Sequence, residues 1–150
     1  MTTVLAGQCG SMPPEVRACD PFAWAELADF WDAGDFRAVH DWLGLRWNHL
    51  IQTRPGGHAD KDARFLQALA FAALAFHFTQ NQKQDGAALV ADDALSMLPG
   101  YLPLYRGLDV APVIATLSTL RPLLEGLAPE DDCPMRPFTF NRLSYTSPGS

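Results

Sequence analysis

Clustered positive charge is the first thing this sequence lacks. Its 11 lysines and arginines are scattered among 17 acidic residues, for a net charge of −6. A nucleic-acid surface gathers Lys and Arg on one face, so no nucleic-acid partner is expected. Long apolar runs are lacking too. The longest, Ala68–Phe76, is about half of the roughly 20 residues that a membrane span needs, so it reads as a buried helix and no membrane partner is expected. The first residues show no basic stretch followed by an extended apolar one, which argues against a secretory signal and for the cytoplasm. Only three cysteines occur, Cys9, Cys19 and Cys133. Their odd number and wide spacing argue against a disulfide framework or a zinc knuckle, and no cofactor is expected. Phosphate-loop, GxSxG, HExxH and CxxC motifs are absent.

What is present is helix. Hydrophobic residues make up 48% of the chain, enough for one domain with an ordinary core. Residues 1–19 read as a flexible arm, 20–127 as the bundle, and 128–150 as an extended or disordered tail in which Phe138, Phe140 and Tyr145 can dock. Asp20-Pro21 opens a helix to Ala33, with Asp20 as cap and Pro21 at the first helical position. Gly34 ends it in a left-handed turn. Asp35 caps a second helix from Phe36 to about Ile51, whose apolar residues Phe36, Val39, Leu43, Trp47 and Leu50 step by three and four. A third helix spans about Lys61–Gln80, is apolar nearly all round from Ala68 to Phe78, and belongs at the centre. A fourth, about Asp85–Leu98, has alanines facing the third and stops at Pro99-Gly100. Tyr101–Leu108 is a loop. Asp109 caps a fifth helix, which Pro122 kinks or extends by a short turn. No strand is expected. The fold class is all-α, a compact bundle of about five helices.

Within this order, Phe30-Trp31, Ala33-Gly34-Asp35-Phe36, His40-Asp41, Gly44 and Trp47 stand out, followed by Gln67, His77, Gly86-Ala87 and Gly107-Leu108-Asp109. The set resembles the bacterial family known as domain of unknown function 309, whose signature is an FxxGxFxxxHExxExxW helix. Here Trp31 stands at the first aromatic position, Asp41 replaces the first glutamate and Gly44 replaces the second. The resemblance covers a little over half of the chain. It implies a compact helical bundle and no particular activity.

Candidate chemistry centres on the histidines and tryptophans of the second and third helices. As an enzyme, the chain would use His40, Asp41 and His77 as catalytic groups in an inter-helix cleft. A divalent metal, held by His40 and His77, would then be the cofactor. Against this, His40 and Asp41 are neighbours that point about 100° apart on a helix. Gly44, one turn from His40, either permits close packing or opens a space beside it. His49 is out of phase with His40, and His58 lies in an exposed loop. As a binding module, which is the leading expectation, the chain would act through Trp42, Trp47 and Gln67. Its partner would be another protein or a second copy. Trp42 lies off the apolar stripe and is expected to be exposed, marking an interface.

Overall fold

A computed structural model describes residues 21–125 and 143–145. The expected arm lies outside the described residues, as does most of the expected tail. The described residues form five α-helices: α1 Trp24–Asp32, α2 Phe36–Thr53, α3 Lys61–Gln80, α4 Gln84–Met97 and α5 Ala111–Leu124. Short 3-10 turns at Gly57–Ala59 and Leu98–Tyr101 precede α3 and follow α4. The fold is an all-α bundle carrying one small hairpin.

Local sequence sets most helix ends. Gly34 takes φ +78°, a left-handed turn that a side chain would strain, between α1 and α2. Asp35 then caps α2, its carboxylate accepting from the Ala38 N–H at 3.2 Å. Asp60 caps α3 in the same way, from the Ala63 N–H at 2.9 Å. Two starts differ from expectation. Helix α1 begins at Trp24, with Ala23 at the cap position and no side-chain cap. Asp20 lies outside the described residues, and the Trp24 N–H is taken by the Phe22 carbonyl in a tight turn. Helix α5 has Val110, not Asp109, at its cap. Asp109 is drawn into a strand instead.

Helix α3 is the axis. It packs against α2 on one side and α4 on the other, with α5 against α4 and α1 against α2. Phe65, Leu66, Leu69, Ala72, Ala73 and Phe76 are fully buried around it. Buried Ala87, Ala91 and Ala94 let α4 approach closely. A Cβ on Gly86 would meet the Phe78 ring at 3.0 Å, so glycine allows a contact there that a larger residue would crowd. At the α1–α2 elbow, the Trp31 ring lies edge-on to Phe36 and Phe76, and Gln80 donates to the Gly34 carbonyl at 2.9 Å.

The loop expected at Tyr101–Leu108 contains two strands, β1 Leu104–Tyr105 and β2 Leu108–Asp109, paired antiparallel. Arg106 and Gly107 take φ +52° and +86° between them, the mirror-image turn that matches strand twist. Two-residue strands carry no alternation to read, which is why none was expected. Part of the tail docks here. Tyr145 bridges Leu108, Leu143 is buried, and the Leu143 N–H donates to Asp32 at 3.1 Å. No helix among the described residues is long and apolar enough to cross a membrane.

Candidate functional site

His40, Gly44 and Trp47 fall on one face of α2 because they are four and three residues apart. Gln67, Ala70, Phe71 and Leu74 repeat that spacing on α3. The two rows face each other across a cleft of about 260 Å³, lined by these seven residues. No Asp, Glu, Lys or Arg is among them. Gly44 decides the character of the place. A Cβ there would meet nothing within 4 Å, so the glycine does not serve close packing. It leaves space beside His40, in a helix where glycine costs about 1 kcal/mol relative to alanine.

Two polar groups line this space with few contacts to the described residues. The half-buried Gln67 amide makes no hydrogen bond to any described residue. His40 has one contact, from Nδ1 to Asp41 Oδ1 at 3.5 Å, at the limit of a hydrogen bond. Its Nε2 has no described partner. Trp47 lies on the cleft wall, with the His58 ring tilted against it at 5.6 Å between ring centroids. Phe71 and Leu74 were not singled out in the sequence, although they lie four and seven residues beyond Gln67.

The other expected site residues lie elsewhere. Asp41 is 63% exposed, pairs with Arg37 at 3.6 Å and belongs to a groove on the opposite side of α2. His77 stands past Leu74 and does not line the cleft; its Nδ1 lies 3.3 Å from the Asn81 amide, which also donates to the His77 carbonyl. The catalytic trio His40, Asp41 and His77 is therefore not gathered around one space. Among the described residues, no group of three or more His, Cys, Asp or Glu is placed to hold a metal ion.

Trp42 corrects an expectation. It is 7% exposed, not a surface anchor. Its indole N–H donates to Glu26 at 2.8 Å, and the Arg46 guanidinium lies 3.6 Å above its ring. Arg46, itself 3% exposed, donates to the same Glu26 oxygen at 3.1 Å and to the Trp42 carbonyl at 3.2 Å. Helix α1 covers this second face of α2, which widens the buried stripe beyond the Phe36–Leu43–Trp47 row.

A second polar centre was missed. Asp62, 3% exposed in the first turn of α3, accepts from the Tyr105 hydroxyl. It also receives Arg106 through Nε at 3.1 Å and Nη2 at 2.9 Å, and Arg54 at 3.0 Å. Burial alone raises the carboxyl pKa, but the three donors outweigh it and hold it below its ordinary value. Burial, and the hydrogen bond to Asp62, push the Tyr105 hydroxyl up to about 12. Trp24 pins the hairpin from the other side, its indole N–H donating to the Arg106 carbonyl at 2.7 Å. Nothing local in the sequence links Asp62 to residues more than 40 positions away.

No protein-family model, curated protein or solved structure matches this chain.

Proposed function

We propose that the protein is a binding module whose α2–α3 cleft takes one compact, neutral guest. The observation that supports this most directly is the Gln67 amide, which bonds no described residue, beside the open space at Gly44. Binding sites are mostly apolar, with a few convergent polar groups that fix orientation. Trp47, Phe71 and Leu74 supply the apolar walls, and Gln67 and His40 supply the polar groups. At about 260 Å³ the cleft is smaller than the usual site for a drug-sized ligand. A planar ring bearing an amide or similar edge fits it: the ring lies along the Trp47 and Phe71 side chains, and the edge bonds Gln67 and His40. The guest is a small molecule or one side chain of a partner protein. The likeness to the domain of unknown function 309 family is likewise a proposal, resting on the Trp31–Trp47 motif, and Gly44 is the departure that makes room for the guest.

Benzamide is a suitable probe, titrated at pH 8 while the Trp47 indole resonance is followed by NMR. A fragment of that size is expected to bind with a dissociation constant of about 1 mM. Benzoate, charged and of the same shape, binds at least about tenfold more weakly, because its carboxylate enters a largely apolar cleft without a fixed counter-charge. Gly44→Leu, which fills the space, removes the shift. The reading fails if benzamide leaves the resonance in place, or if the shift survives in Gly44→Leu.

A further inference from the structure

Where α3 begins and α4 ends, the two helices frame a separate hollow of about 440 Å³. The first turn of α3 gives it Lys61 and Arg64, three residues apart on one face and both exposed. The end of α4 and the turn after it give Met97, Gly100 and Tyr101. We propose that this hollow binds a small phosphate monoester with a planar apolar body, its phosphate between Lys61 and Arg64 and its body against Tyr101 and Met97.

Charge and shape select this ligand. No Asp or Glu lines the hollow. The acids nearest in sequence are answered by other groups. Asp60 caps the Ala63 N–H and pairs with Arg54 at 3.4 Å, and Asp62 holds Arg54, Arg106 and the Tyr105 hydroxyl. Lys61 and Arg64 form no ion pair with any described residue; the Lys61 ammonium has only the Tyr105 ring, 5.5 Å from its centroid. Arg54 and Arg106 thus offset the two carboxylates, and Lys61 and Arg64 remain as a local positive excess in a chain of net charge −6. A guanidinium fork beside an ammonium suits a phosphate dianion. Arg64 also acts on the apolar wall: burial raises the Tyr101 hydroxyl pKa, and the Arg64 charge opposes that rise while Asp62 and Asp60 add to it. That wall is preset. The Tyr101 hydroxyl donates to the Lys61 carbonyl at 3.3 Å, and its ring packs on Phe65 and Tyr105, each at 4.9 Å between centroids. A ring laid on it needs no rearrangement of the protein.

The probe is phenyl phosphate, titrated against the full chain at low salt and about pH 8, where the ester carries two charges, while the Tyr101 and Met97 resonances are followed by NMR. It is expected to bind with a dissociation constant of about 1 mM. Inorganic phosphate and benzyl alcohol each keep only part of the ligand and bind at least about tenfold more weakly. Lys61→Gln and Arg64→Gln each weaken phenyl phosphate about fivefold. Lys83→Gln removes an exposed cation beyond the other end of α3 and leaves binding within about twofold. Equal losses in Arg64→Gln and Lys83→Gln would reveal diffuse attraction to charge and overturn the proposal. So would resonances that phenyl phosphate leaves in place, or inorganic phosphate or benzyl alcohol binding as tightly as the ester.

Discussion

Helix α3 carries two polar residues of opposite kind. Asp62, at its N-terminal end, is a buried charge with every approach taken: a tyrosine hydroxyl, a bidentate arginine and a second arginine. Gln67, little more than one turn on, is a half-buried amide that binds no described residue and faces an empty cleft. A buried carboxylate is tolerated only when its charge is answered, so the first site has to be filled by the protein itself. A neutral amide at a cleft wall can be left unanswered at modest cost. The first arrangement ties Arg54, before the 3-10 turn, and the Tyr105–Arg106 hairpin to the start of α3. The second leaves a place for something else.

The contrast is broken most forcefully at Asp62. Asp62→Ala leaves Arg106, Arg54 and the Tyr105 hydroxyl without their shared acceptor. Those arginines are 52% and 36% exposed, so the loss is less than for a fully buried pair, about 2–3 kcal/mol by urea unfolding. The pH dependence has a definite sign. Because folding lowers the Asp62 pKa, its contribution is complete above the ordinary carboxylate range and is lost as pH falls through the lowered value; Asp62→Asn flattens that acid limb.

Tyr105 sharpens the same comparison from the alkaline side. Its pKa is raised, so its contribution is complete below about pH 10 and is lost as pH rises toward about 12. Tyr105→Phe removes this alkaline loss and costs about 1 kcal/mol at neutral pH, read from the same unfolding curves. Glu26→Ala, which strips the acceptor shared by Trp42 and Arg46, costs a similar amount, about 1–2 kcal/mol. At Gln67 the expectation reverses. Gln67→Leu removes an amide the fold does not use, so stability stays within about 0.5 kcal/mol of the parent while benzamide binding falls.

The helices were legible because their signals are local. Asp35, Asp60 and Gly34 act on groups within four residues, the three-and-four spacing of apolar positions in α2 names its buried face, and the all-round apolar run of α3 marks it as central. That phase also brings His40, Trp47 and Gln67 to one cleft. It does not bring in Asp41 or His77, which lie off that space. What was illegible depends on distant chain. Trp42 looked like a surface residue because its cover comes from Glu26 on α1 and from Arg46, a cation folded back over its ring. The hairpin rests on residue pairs too short for a pattern, and Tyr145, expected as a residue that can dock, finds its partner Leu108 in that hairpin. Asp62 reads locally as a first-turn acid favoured by the helix dipole; its role as a junction appears only once Tyr105 and Arg106 are folded against it.

If Gly44 keeps a space open between α2 and α3, the stability of Gly44→Leu will register it. Leucine replaces glycine in mid-helix and its side chain enters an unfilled cleft beside Trp47 and Phe71. Gly44→Leu is expected to be more stable than the parent by about 1 kcal/mol in urea unfolding. A loss of about 1 kcal/mol or more would mean that α2 and α3 close over that position, and that the glycine serves packing rather than a guest.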